Sequence, residues 1–186
     1  MTERKREILQ IAIELIADEG YAALTMRALA RASGMKLGAL QYHFRTFEDL
    51  MRELVNYIAM SYHTSFRTLR DHKPSNSLYD VVVFILDDQA GNHLCGDKLW
   101  PQLWAMQQVE PLVSDLVEDL YANYIEILQN ALKDSGSETP YQEALMLISM
   151  LEGSTLFLGD GRRWAKHAPE VRTVVLNLIQ QQYGPP

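Results

Sequence analysis

Residues 24–50 read LTMRALARASGMKLGALQYHFRTFEDL, and this stretch decides the fold of the N-terminal part of the chain. Thr25 is a favourable N-cap for a short helix, which we expect to end at Ser33 and Gly34. A second short helix is predicted over residues 37–44, and a glycine in the turn allows a sharp change of chain direction. Two short helices joined in this way, after one packing helix, are typical of a helix-turn-helix.

The second short helix carries different chemistry on its two sides. Leu40 and Phe44 are predicted to face inward, whereas the small residues Gly38 and Ala39 allow close approach to a groove of DNA. Ala39 can contact a thymine methyl group, and the amide of Gln41 has the geometry for a bidentate pair with adenine. A solvated or phosphate-facing Gln41 is the alternative.

Phosphate contacts are expected around the same helix, because these set the position of a protein on DNA. Tyr42, His43 and two residues of the preceding helix can donate hydrogen bonds to phosphates. Arg45 and the run Arg4, Lys5 and Arg6 are expected to add attraction that does not depend on sequence. The predicted DNA-contacting residues are Thr25, Arg27, Lys36, Leu37, Gly38, Ala39, Gln41, Tyr42, His43 and Arg45.

The flanking segments are also predicted to be helical. The N-terminus is charged, but Gln10, Glu14 and Asp18 interrupt its apolar residues, which indicates an amphipathic helix rather than a signal peptide. On the other side, Thr46 is expected to cap a long helix, with Asp49 at the position of a capping-box acid. This helix, residues 46–71, is predicted to link a DNA-binding domain over 1–47 to a second domain over 48–186.

In combination, the pattern of residues 24–50 resembles the TetR family of bacterial transcriptional regulators. The features that carry the resemblance are Leu-Thr, the glycine turn, Gly-x-Leu, the aromatic-His-Phe cluster and the following Glu-x-Leu. The resemblance implies an all-α homodimer in which a C-terminal domain binds a small effector. Three positions depart from the family pattern: Lys36 replaces a capping Ser or Thr, Gln41 replaces a tyrosine, and Phe47 replaces a lysine.

The whole chain is predicted to be all-α, with about nine helices, because apolar residues recur at helical spacing almost throughout. Pro111, Thr139-Pro140 and Pro169 mark three helix starts. The segment LYDVVVFILDDQA, from Leu78, is predicted to be helical in spite of its β-branched centre. The polar stretch Pro74–Ser77 is the best candidate domain boundary.

Aromatic and sulfur-containing residues of the C-terminal two-thirds are expected to line an apolar effector cavity, with core packing as the alternative. The predicted pocket residues are Trp100, Leu103, Trp104, Tyr121, Tyr124, Met146, Met150 and Phe157. The last two helices are expected to form a four-helix bundle with a second copy, with packing in the core of a monomer as the alternative. The predicted dimer residues are Ser149, Gly153, Ser154, Val171, Val174, Val175 and Leu178.

The distribution of charge supports two parts with different partners. Residues 1–73 hold 11 Lys and Arg against 9 Asp and Glu, whereas the remainder holds 6 against 15. The N-terminal part is therefore not repelled by phosphates, although the whole chain has a net charge of −7.

The single cysteine, Cys95, fits a reducing compartment, and we expect a cytoplasmic protein.

An enzyme is not expected, because the five histidines have no metal-ligand spacing and the chain lacks a phosphate loop or a nucleophile elbow. No cofactor, metal or membrane is predicted. The expected partners are a pseudo-palindromic DNA operator, a small-molecule effector and a second copy of the chain. The expected function is that of a ligand-responsive repressor, with activation left open. A helical ligand-binding protein that has lost affinity for DNA is the alternative.

Overall fold

The computed structural model of the chain describes residues 1–72, 77–87, 94–95 and 98–184. These residues contain nine α-helices and no β-strand, as predicted. No helix among them is both long and apolar enough to cross a membrane. The helices are α1 (Glu3–Glu19), α2 (Met26–Ala32), α3 (Leu37–His43), α4 (Phe47–His72), α5 (Leu78–Leu86), α6 (Leu99–Met106), α7 (Pro111–Asp134), α8 (Pro140–Leu158) and α9 (Ala168–Tyr183).

The described residues form two compact units. The first contains Met1–Tyr62 and His93–Glu118, and the second contains His63–Asn92 and Asp119–Pro186. The boundaries fall inside α4 and inside α7. The predicted stretch Pro74–Ser77 lies outside the described residues except for Ser77. The predicted functional division into residues 1–47 and 48–186 stays a prediction.

The core of the first unit is built on one side of α1. Ile8, Leu9 and Ile13 are completely buried, because apolar residues at helical spacing share one face of the helix. Two polar contacts hold the segment around α6 to the end of α1. Lys98 Nζ lies 3.0 Å from Asp18 Oδ1, and the Tyr21 hydroxyl donates a hydrogen bond to Glu110. Burial and the Glu110 carboxylate raise the pKa of Tyr21.

The second unit has an aromatic centre and two polar connections. The ring centroids of Phe66 and Tyr124 are 4.8 Å apart with perpendicular planes, which is a favourable edge-to-face geometry. Arg172 of α9 pairs with Asp87 at the end of α5 at 3.1 Å. A further cluster joins the start of α8 to the end of α9, where the Tyr183 hydroxyl donates to Glu143 at 2.5 Å.

The predicted helix with a β-branched centre, which starts at Leu78, is also present. α5 covers Leu78–Leu86, and the Ser77 hydroxyl caps it by accepting from the Asp80 N–H at 3.1 Å. Val81, Val82 and Phe84 are buried. The β-branched residues are tolerated because burial of their side chains outweighs a weak local preference. Residues 88–90 of the predicted helix lie outside the described residues.

Candidate DNA-binding surface

The turn between α2 and α3 depends on Gly34. Its φ of +65° lies in the left-handed region, which other residues rarely adopt. Two backbone hydrogen bonds close the turn, from the Gly34 N–H to Arg31 O at 3.0 Å and from the Met35 N–H to Ala30 O at 2.8 Å. At the other end of α2, the Thr25 hydroxyl accepts from the Ala28 N–H at 3.1 Å, so the predicted cap is confirmed.

The helix α3 has one buried side and one exposed side. Leu40 and Phe44 are 0% and 1% exposed, which confirms their predicted inward orientation. Gly38, Ala39 and Gln41 are exposed. In the first turn of α3, Leu37 is half-buried. In its last turn, His43 is half-buried and Tyr42 is exposed.

Tyr42 is the most exposed large hydrophobic side chain among the described residues, at 87%. Its ring meets that of His43 edge to face, with centroids 5.5 Å apart. A ring that is this exposed is available to an external partner. A phenol at this place can donate to a phosphate oxygen.

The chain enters α4 through a complete capping box. The Asp49 N–H donates to the Thr46 hydroxyl at 3.0 Å, and the Thr46 N–H donates to the Asp49 carboxylate at 3.2 Å. The predicted pair is therefore confirmed, and it fixes where α3 ends and α4 begins. Phe47, at the first position of α4, is half-buried.

Lys36 occupies the N-cap position of α3, and its side chain makes no capping hydrogen bond there. Lys36, Arg27, Arg45 and Thr25 are all exposed. The positive charges of Lys36, Arg27 and Arg45 are therefore accessible in the unit that carries α3.

Two of the expected N-terminal cations are engaged inside the unit. Lys5 lies 2.8 Å from the Glu53 carboxylate and 5.3 Å from the centre of the Phe44 ring. Arg4 pairs with Glu7 at 2.7 Å and donates to the Ser33 carbonyl at 3.2 Å. The expectation that both add sequence-independent attraction to DNA stays a prediction. Glu53 is 48 positions from Lys5, and Ser33 is 29 positions from Arg4, so the local sequence carries no signal for these two contacts.

Comparisons with known proteins agree with this geometry. The model for bacterial regulatory proteins of the tetR family matches residues 8–54, from α1 into α4. An uncharacterised helix-turn-helix transcriptional regulator of Xanthobacter autotrophicus is 28% identical over 79% of this chain and 73% of its own length. The repressor KstR2 of Mycolicibacterium smegmatis is 36% identical over 52 residues, 28% of this chain and only 25% of KstR2.

A solved structure extends the likeness to the whole fold. It is a transcriptional regulator of Saccharomonospora viridis in complex with choline, with a TM-score of 0.76 at 19% identity, covering 98% of this chain and 97% of that one. The family model covers α2, the Gly34 turn and α3 in one continuous match. Residues 8–54 of this chain are therefore similar to the helix-turn-helix region of bacterial regulatory proteins of the tetR family. Its relatives are transcriptional regulators.

The predicted pocket residues occupy different environments. Trp100 and Leu103 are buried in the first unit, where the Trp100 ring lies 5.6 Å from that of Tyr62 and 6.3 Å from that of Trp104. Trp104 is half-buried. In the second unit, Tyr124 is buried and Tyr121 is half-buried.

The other three predicted pocket residues lie at the surface. Met146, Met150 and Phe157 are 55%, 39% and 55% exposed, so they do not form the wall of an enclosed cavity in the single chain. The reason is helical spacing. Steps of three and four residues place them on the same face of α8 as Ser149 and Gly153. That relation could have been found from the sequence.

The predicted dimer residues form an exposed apolar face on the last two helices. On α9, Val171, Val174 and Leu178 are 36%, 64% and 48% exposed, whereas Val175 is half-buried. On α8, Ser149 is exposed, and Gly153 and Ser154 are half-buried.

The same face continues into a groove that sequence reasoning did not predict. The groove has a volume of about 510 Å³ and is lined by Phe157, Leu158, Trp164, His167 and Val171. Trp164 is 47% exposed. A tryptophan in a short connection between two apolar helices is the signal that could have indicated this extension. Among the described residues, no group of three or more His, Cys, Asp or Glu is placed to hold a metal ion.

Proposed function

We propose that this chain is a ligand-responsive transcriptional repressor of the TetR family. It acts in the cytoplasm as a homodimer on a pseudo-palindromic operator and leaves that operator when a small molecule binds. The observation that carries the proposal is the two-sided character of α3, in which a buried Leu40 and Phe44 support an exposed Ala39, Gln41 and Tyr42.

The exposed side of α3 supports the following roles for the DNA contacts. α3 enters the major groove, where Ala39 contacts a thymine methyl group and Gln41 pairs with an adenine. Gly38 allows close approach because it has no side chain. Leu37 packs against the groove wall.

The remaining contacts position the protein on the duplex. Tyr42 and His43 donate to phosphates beside the recognition helix, and Thr25 and Arg27 do so from α2. Lys36 and Arg45 add positive charge at the two ends of α3. These contacts carry affinity but no base readout.

The dimer is proposed from the exposed face of α8 and α9. Large apolar side chains at positions 146, 150 and 157 of α8 and 174 and 178 of α9 are exposed, and exposed apolar residues of this kind are candidates for a protein interface. Small residues at Ser149, Gly153 and Ser154 allow a second copy to approach closely. Two such pairs of helices related by a two-fold axis form a four-helix bundle.

The effector is proposed to bind the C-terminal part of the chain. KstR2 is named as a repressor, and the Saccharomonospora viridis regulator was solved with choline, so related chains repress and bind small molecules. Trp100 and Trp104 of the first unit are one candidate set of contacts, and Tyr121 and Tyr124 of the second unit are another. The free energy that couples effector binding to operator release is then about 1–3 kcal/mol, the usual range for coupling between two sites.

Selection of bound fragments from genomic DNA tests this function. The chain and a Gln41→Ala, Tyr42→Ala variant are incubated with the same sheared fragments, and the retained DNA is sequenced. The proposal requires the chain to enrich a few fragments that share a motif, and the variant to lose that enrichment. Retention of random fragments by both proteins would instead support the alternative of a ligand-binding protein without an operator.

A further inference from the structure

We propose that Lys5 is a positioning residue for the recognition helix α3 rather than a phosphate contact. Lys5 lies on α1, and its ammonium group has two partners from different parts of the unit. It lies 2.8 Å from Glu53 Oε1 on α4 and 5.3 Å from the centre of the Phe44 ring. The inference rests on the proposed function, because it concerns how the DNA-reading helix is held.

Burial supports an internal role for this cation. The side chain of Lys5 is only 27% exposed, and the Phe44 ring beneath it is 1% exposed. A cation over the face of a partly desolvated ring is attracted by the ring quadrupole, and the Glu53 carboxylate neutralises its charge. To reach a phosphate, the ammonium group would have to leave both partners.

Phe44 is the link between Lys5 and the DNA-facing side chains. It is the C-cap residue directly after α3, and its N–H donates to Leu40 O at 3.0 Å. Its ring centroid lies 6.5 Å from that of His43, which in turn meets Tyr42 at 5.5 Å. Lys5 therefore joins α1 and α4 at the end of α3, next to the proposed phosphate contacts.

Arg6 provides a matched comparison. It follows Lys5 on the same helix and is exposed, and it makes no ion pair among the described residues. Loss of either cation changes the net charge by the same amount. Only the loss of Lys5 removes the interactions with Phe44 and Glu53, so differences between the two variants report positioning and not charge.

The test compares Lys5→Met, Lys5→Arg, Glu53→Gln and Arg6→Met with the wild-type chain. The first readout is hydrogen exchange of the Phe44 amide in the free protein. The second is the ratio of affinities for the best fragment selected by the wild-type chain and for a scrambled fragment of equal length. Both affinities are measured over a range of salt concentrations.

Lys5→Met is expected to speed exchange at Phe44 and to lower the affinity ratio about three- to tenfold, with an unchanged salt slope. Lys5→Arg keeps a cation over the ring and is expected to restore both readouts. Glu53→Gln is expected to lower the ratio although it removes a negative charge. Arg6→Met is expected to leave exchange and ratio as in the wild type.

A phosphate contact would behave differently. Lys5→Met would then weaken both DNAs equally and make the salt slope shallower by about 0.9 for each phosphate that the protein no longer neutralises. That result, or a Glu53→Gln variant that binds both DNAs more tightly at an unchanged ratio, overturns the proposal. If the wild-type chain selects no fragment, the proposed function fails, while exchange at Phe44 still decides whether Lys5 holds the end of α3.

Discussion

Gln41 and Tyr42 are neighbours on α3 with exposed side chains, yet the proposed function gives them different tasks. Gln41→Ala is expected to cost about 1–3 kcal/mol of discrimination at one base pair of each half-site, because the variant cannot form a bidentate pair with adenine. Affinity for random DNA should not change. Binding to a library of operator variants measures this preference, and an equal loss on specific and random DNA would show that Gln41 does not read a base.

Tyr42→Phe removes only the hydroxyl from an 87% exposed side chain. We expect weaker binding to operator and random DNA by a similar factor, because a phosphate contact carries no sequence information. His43→Ala should act in the same way and should also reduce the salt dependence. Titrations with both DNAs check these results, and an unchanged operator affinity would show that the residue does not contact DNA.

Lys36 shows how one residue can act on stability and on binding with opposite signs. It occupies the N-cap of α3 in an extended conformation but makes no capping hydrogen bond. Lys36→Ser is expected to stabilise the fold by about 0.5–1 kcal/mol, since serine can cap the helix. The same change should lower DNA affinity because it removes a positive charge. Urea unfolding and DNA titration measure the two effects, and Lys36→Gln, which loses the charge without gaining a cap, is the control.

At the scale of helices and turns, much of the DNA-binding unit could be predicted from local sequence. Thr25, the Gly34 turn and the Thr46–Asp49 pair act over three or four residues, so their chemistry is visible in the sequence. The contacts of Lys5 with Glu53 and of Arg4 with the Ser33 carbonyl could not be predicted, because these partners are distant in the chain. Residue type alone favours a pocket for the methionines of α8, whereas helical spacing places them on its exposed face.

The junction of α8 and α9 gives a prediction about pH. The hydrogen bond from Tyr183 is the main cause of the lowered pKa of Glu143, and the hydroxyl groups of Ser137 and Thr139 add to it. Burial and the Glu143 carboxylate raise the pKa of Tyr183 to about 12. Because the pKa of Glu143 is lower in the folded chain than its usual 4.5, its ionised form stabilises the fold above that value. This contribution is lost as the pH falls through the lowered pKa.

Tyr183→Phe should therefore reduce stability more at neutral pH than in acid, where Glu143 is protonated in both chains. Urea unfolding of the variant and of the wild type, each at neutral and at acid pH, measures this difference in stability. Tyr141→Phe is the matched control, because Tyr141 is 49% exposed and lies at the start of the same helix. A loss for Tyr183→Phe that is equal at the two pH values would contradict the assigned role of Glu143.

For the whole molecule, association through α8 and α9 is the next prediction. Val174→Glu places a charge on a residue that is 64% exposed on α9, where a second copy would bury it without a partner. We expect the wild-type chain to sediment as a dimer of 21.3 kDa chains and the variant as a single chain. Val109→Glu is the control, because Val109 is 67% exposed but lies before α7. A wild-type chain that sediments as a monomer at micromolar concentration would exclude the proposed bundle.

The central claim is that two copies of α3 read two half-sites at once, and a hydroxyl-radical footprint on a selected genomic fragment tests it most directly. The predicted result is two protected half-sites of related, inverted sequence, with centres about one helical turn or 34–36 Å apart. Gln41→Ala should alter the preferred base at the same place in both halves. A single protected segment without inverted symmetry, or no protection at concentrations where the chain is dimeric, would contradict the account.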